Sequence, residues 1–314
     1  VPPDPVHSIR TEPAALRRLI ARNKQADKIF AIVGLIAMFV GVFTLAALLV
    51  DLALDGGHRI SWQFLTSFPS RHAEKAGILS AWVGSSLVMI VTVLSAVPIG
   101  IAAGVYLEEY ARRGWITDII EVNVTNLAGV PSIVYGLLAL GLFVYGLGFG
   151  QSVLSAGLTL GLLILPVVVV STREAIRSVP VAMREAAYAL GATRWQTVID
   201  HVLPYSTGGI LTGVILGCSR AIGETAPVIT IGALTFIAFL PPAPFTDAPP
   251  YLSFEWLMAP FTVMPIQMFN WLSRPQVAFL ENAAAAGLVL VLMTVGMNAL
   301  AIWLRYRYRK KIKW

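Results

Sequence analysis

Long stretches without a single charge alternate with short charged ones. Residues 29–50 carry no Asp, Glu, Lys or Arg, nor do residues 76–107 or 122–172. A membrane-spanning helix needs about 20 mostly apolar residues. The first stretch predicts one span. The second predicts another, kinked at Pro98. The third is too long for one helix, and "GLGFG" at 146–150 supplies a turn that divides it into spans three and four. Span five is expected over about 206–226 and span six over about 282–304. The pattern therefore predicts an all-α membrane protein with six transmembrane helices.

Composition agrees. The chain is 57% apolar and 13% charged, where a soluble domain carries about 25% charged residues, and its mean hydropathy is +0.75. The net charge of +6 would suit a nucleic-acid partner, but its placement points to membrane orientation instead. With six spans, 18 Lys and Arg fall on the face shared by both termini and four on the other. The excess predicts that both termini are cytoplasmic. The polar segment 1–28 reads as the cytoplasmic flank of a retained anchor rather than a cleaved signal. The transmembrane domain is expected over 29–306. The basic tail 307–314 reads as an orientation signal or a contact for anionic lipid. One cysteine, Cys218, and four scattered histidines predict neither a disulfide nor a metal site. No phosphate-binding loop is present, so ATP hydrolysis would fall to another chain.

Two segments are expected outside. Residues 53–75 form a short loop. Residues 241–280 are Pro-rich, then aromatic ("FTVMPIQMFNW", 261–271). They are expected on the outer surface or dipping partway in, anchored by aromatics or meeting an external partner.

The fifth span contains "GCSRAIGETAPVI" (217–229), with Arg220 and Glu224 four residues apart. A mid-bilayer charge costs about 2.5–3.5 kcal/mol on insertion scales, so neither should face lipid. At about 100° per residue both lie within about 40° of the face that carries Gly209, Gly213 and Gly217. That glycine stripe permits close helix approach. The pair is either a clasp within the bundle or part of an anion path. Arginine's planar fork suits a tetrahedral oxyanion. Glu224 would neutralise Arg220 while the path is empty, and Thr225 adds a hydroxyl. Arg173 and Glu174, at the end of span four, are either anchoring charges or an inner mouth. Pro131, Ser132 and Tyr135, in "GVPSIVYG" (129–136), either gate the path or bend span three.

The loop 173–204 carries "EAAYALGATRWQTVIDHVLP". It predicts a helix over about 181–190, a stop at Gly191, and a second helix opened by a Thr193/Gln196 capping box and ended by Pro204. Ala186 and Ala187 are small enough to let another surface approach.

This stretch resembles the EAA loop of bacterial ABC importer permeases, with Glu185, Ala186, Ala187 and Gly191 at the family's positions. In that family the loop docks into the cytoplasmic ATPase. "AGILSAWVGSSLVMI" (76–90), "GVPSIVYGLLALGLFV" (129–144), "RAIGETAPVI" (220–229) and "FTVMPIQMFNW" narrow the resemblance to PstA-type permeases of phosphate importers, from about residue 76 to the end. "VGSS" (83–86) departs from the Gly-Thr expected there, although Ser85 keeps a hydroxyl in the substrate path. The resemblance implies an ABC importer permease fold without catalysis of its own. Its implied partners are a second, PstC-like permease, two PstB-like ATPases that bind ATP and Mg, and an external PstS-like protein that delivers inorganic phosphate. The alternatives are a permease for another oxyanion, sulfate or molybdate, and an ion-coupled secondary transporter or channel.

Overall fold

The computed structural model describes residues 13–112, 114–245 and 251–311. Arg10, Arg113, Lys313 and the end of the Pro-rich run, 246–250, lie outside them. Among the described residues the regular structure is helical, apart from one isolated bridge between Phe245 and Leu252.

Helix α1 runs Pro13–Gly56, and its course up to Leu54 forms a unit by itself. From Ile29 to Val50 its apolar side chains are exposed on every face. A helix that is apolar all round suits a bilayer and not water.

The second unit, from Asp55, holds the other α-helices of six residues or more. They are α2 (Leu79–Tyr110), α3 (Trp115–Leu127), α4 (Ser132–Gly146), α5 (Val153–Arg177) and α6 (Val181–Ala189). Helices α7 (Arg194–Gly223), α8 (Ala226–Ile231), α9 (Met264–Leu272) and α10 (Ala278–Lys311) complete it. Among the described residues, five helices are long and apolar enough to cross a membrane, or six if α3 and α4 count as one span. Those two are bent by 107° at their junction. The third expected span is therefore broken where Pro131 removes a backbone donor.

Helix α5 sits centrally, between α2 and α7. Small residues let the backbones approach. A Cβ on Gly100 would stand 2.7 Å from Val168 Cγ1, and one on Gly104 2.6 Å from Thr172 Cβ. Thr92 donates across to Gly157 O at 3.1 Å. The glycine stripe on α7 meets α5 as well: Gly209 faces Ala175, Gly213 faces Ser171 and Gly217 faces Ile164. Space for a Cβ at Gly213 is already filled by the Ser171 side chain. Gly213→Ala is therefore expected to cost about 1–3 kcal/mol of packing, read as a lower unfolding midpoint of the solubilised protein. Gly296→Ala, with no atom within 4 Å of the new Cβ, is the matched control and should leave the midpoint in place.

The segment 241–280 divides in two. Phe245, Tyr251 and Phe254 are exposed, as a surface loop requires, but Phe261, Met264, Ile266 and Trp271 are fully buried. Trp271 packs between Phe64 and Phe279, at ring separations of 6.0 and 6.5 Å. Within α9, Trp271 is a core residue rather than an interfacial anchor, whereas Phe269 stays exposed.

Candidate functional site

Helix α7 ends at Gly223, short of the 226 expected. Glu224 turns extended (φ −74°, ψ 128°), and α8 restarts at Ala226 with Pro227 in its first turn. Proline suits that position because the first N–H groups of a helix have no internal partner. The regular wheel thus stops just before Glu224, yet the pair still closes: Arg220 Nε donates to Glu224 Oε1 at 3.2 Å. Arg220 is 40% exposed and Glu224 19%. The stripe glycines are packed on α5, whereas Arg220, on the same side of the wheel, stands beyond that seam and is exposed. Thr225 is half-buried at the break, and its carbonyl accepts from Ile229 N at 3.0 Å.

Two chain breaks come together here. Pro131 caps α4, exposed, with Ser132 half-buried beside it. Tyr135 is buried, and its hydroxyl donates to Leu127 O at 2.7 Å, which ties α4 back to α3. One residue on, Gly136 lies against α8: a Cβ there would stand 2.7 Å from Pro227 Cα. The bend in α3–α4 thus abuts the interruption after Glu224.

Ser85 and Glu224 line the same enclosed space, with Val88, Leu160 and Val263. Its volume is about 10 Å³, room for one water and none for an oxyanion. The Ser85 hydroxyl is already engaged, accepting from Met264 N at 2.9 Å, which positions the first turn of α9.

At the other end of α5 lies an ionic cluster. Arg173 is 5% exposed. It donates to Glu121 on α3 and stands 3.4 Å from Glu108. Arg177 pairs with Glu108 at 3.0 Å, Glu121 at 3.2 Å and the exposed Glu174 at 3.5 Å. On α6, Arg184 Nη2 donates to Glu109 Oε1 at 2.8 Å and to Ile176 O at 3.0 Å, while Nη1 donates to Val179 O at 2.8 Å. Glu108 and Glu109 sit in a π turn, Tyr106–Tyr110, that ends α2. Such wide turns recur at functional sites. Here the two adjacent carboxylates serve different elements, Glu108 reaching α5 and Glu109 reaching α6. The three glutamates Glu108, Glu109 and Glu121 are not among the residues the sequence marks out, because it is Lys and Arg, not Asp and Glu, that report membrane orientation. The doubled acid in "YLEEY", directly after an apolar run, was the available signal.

The loop after α5 forms as expected. Gly191 adopts φ +84°, the left-handed region that glycine favours, and Thr193 and Gln196 form the capping box. The second helix does not stop at Pro204. It is the first turn of α7 and runs on through a π turn, Val198–Val202, into the long apolar part of that helix. Glu185 and Ala186 face outward, but Ala187 is buried within the molecule. Of the two small residues only Ala186 remains for close approach. Leu190, 90% exposed, is an apolar side chain offered outward that composition did not single out.

A bundle of lipid-suited helices, an ion pair at a helix break and an exposed helix–turn–helix joined to the inner cluster define a multi-pass membrane permease. Residues 96–314 match the model of the binding-protein-dependent transport system inner membrane component family, and the chain belongs to that family. It is 33% identical over 275 residues to the probable ABC transporter permease protein YqgI of Bacillus subtilis (strain 168), covering 85% of this chain and 92% of that one. It is 33% identical over 305 residues to the phosphate transport system permease protein PstA of Mycobacterium leprae (strain TN), covering 96% and 94%. Its fold matches a chain of the bacterial alginate ABC transporter with a TM-score of 0.63 at 14% identity, covering 92% of this chain and 98% of that one. The chain is an ABC importer permease of the bacterial inner membrane, a transport subunit rather than an enzyme. The family sets aside a secondary transporter or channel.

Proposed function

We propose that this chain is a permease of an ATP-driven phosphate importer. The observation that carries the reading is the Arg220–Glu224 pair at the break between α7 and α8, in a chain similar to PstA along most of its length. A guanidinium binds a phosphate through two parallel hydrogen bonds. While no anion is present, Glu224 satisfies Arg220. When phosphate arrives, the carboxylate is displaced, and its negative charge then opposes retention. Thr225 adds a donor, and Ser85 shares the enclosed space with Glu224. Pro131, Ser132 and Tyr135 bear on the break through Gly136 and act as the gate. Arg173 and Glu174 frame the inner mouth.

Both termini are cytoplasmic in this reading. The C-terminal part of α10 supports it, because Arg305 Nε lies 3.9 Å from the Cβ position of Gly208, at the loop end of α7. The exposed face of α6, with Glu185 and Ala186, and the turn at Gly191 dock onto one of two cytoplasmic ATPases that hold ATP and Mg. A second permease completes the path, and an external binding protein delivers phosphate.

The test is ATP-driven uptake of radiolabelled phosphate into vesicles that hold the whole assembly, with unlabelled phosphate, sulfate and molybdate as competitors. Phosphate alone should compete. Transport of sulfate or molybdate in its place overturns the substrate and leaves the permease.

A further inference from the structure

A groove of about 630 Å³ opens between the second half of α2 and the start of α7. Its walls are carbon almost throughout, with Ile101 and Val105 on one side and Ile199 and Leu203 on the other. From Pro98 to Tyr110 it follows α2 for about 18 Å at ~1.5 Å per residue, close to the ~15 Å depth of one leaflet's hydrocarbon. One end is marked by Tyr106, Tyr110 and Trp195, the residue types that settle at the headgroup level. The exposed Arg194 holds its guanidinium 5.4 Å from the Tyr110 ring. The Tyr110 hydroxyl is shut off from solvent and meets no hydrogen-bond partner. Arg112, also exposed, follows two residues on.

We propose that this groove binds an anionic phospholipid. One acyl chain lies along α2, and the phosphate rests on Arg194. The Tyr110 ring lines the groove at that end, beneath the Arg194 guanidinium. Charge decides the lipid class: the rim offers guanidinium groups to the leaflet that carries anionic lipid, and no carboxylate lines the groove. The site adjoins the capping box that begins α7, so a bound lipid braces the passage from docking loop to membrane helix. This rests on the orientation proposed above, not on phosphate as the substrate.

The test counts lipids retained by the complete assembly, released from nanodiscs of phosphatidylcholine doped with phosphatidylglycerol and weighed intact by mass spectrometry. The parent should keep phosphatidylglycerol in preference to phosphatidylcholine. Arg194→Gln removes the charge at an exposed position and should weaken that retention roughly tenfold. Ile199→Trp fills the groove and should abolish it. Equal retention of both lipids, or retention unchanged in both variants, overturns the proposal. So does efficient cross-linking of Ala102→Cys to an apolar helix of the second permease, which would show the groove filled by protein. Phosphate uptake measured beside it reads the transport function separately.

Discussion

Arg220→Ala is expected to lower phosphate uptake on the order of a hundredfold while the complex still assembles and hydrolyses ATP. A hydrogen bond to a charged group is worth about 1.5–3 kcal/mol, and a hundredfold loss corresponds to about 2.7 kcal/mol. Arg220 is exposed beyond the α5–α7 seam, so its truncation opens no cavity in the core. Glu224 would be left at the break with no cation beside it, repelling an arriving anion. Arg220→Lys keeps the charge and loses the planar fork, so its uptake should fall between the two. Glu224→Gln should act in the opposite sense on occupancy, with slower release and tighter retention of phosphate. Uptake by vesicles and ATPase activity measured on one preparation decide it. Normal uptake by Arg220→Ala would make the pair a clasp and move the anion path to other helices.

Arg184→Ala is the second large effect. It should uncouple ATP hydrolysis from transport, with phosphate carried per ATP falling tenfold or more. Glu109 and Arg184 are 7% and 16% exposed at the side chain. One guanidinium, carried by α6, joins the end of α2, the Ile176 carbonyl of α5 and the Val179 carbonyl just beyond it. A push on α6 therefore reaches two membrane helices through one side chain. Deleting one member of a buried pair costs about 3–5 kcal/mol, whereas replacing both with apolar residues is often neutral. The double variant Glu109→Met with Arg184→Met should accordingly recover thermal stability without recovering phosphate carried per ATP. If the double variant restores coupling as well, the pair only stabilises the fold.

The apolar runs made the number of spans legible, because bilayer thickness sets helix length. The helix–turn–helix after α5 was legible too, since a capping box and a positive-φ glycine act within a few residues. What composition could not give was the course of the chain at its breaks. Pro131 was visible, but a 107° turn depends on Gly136 meeting Pro227 across the fold. The burial of α9 was hidden for the same reason: aromatic residues suit an interface and a core equally well, and the neighbours Phe64 and Phe279 lie far away in sequence. The inner cluster was half legible. Arg173 and Arg177 read as anchoring charges until Glu108 and Glu121 were seen to converge on them from two other helices.

Helices α5 and α7 touch along a track that has no knobs on one side. Glycine recurs every four residues at 209, 213 and 217, against Ala175, Ser171 and Ile164. A shift of α7 by one repeat, about 6 Å along its axis with a turn of about 40°, puts Gly213 where Gly209 had been and Gly217 where Gly213 had been. Between those positions the flanking side chains of α7 ride over α5. The three glycines meet an alanine, a serine and an isoleucine in turn, so the present register is set by which α5 side chain fills each glycine's hollow.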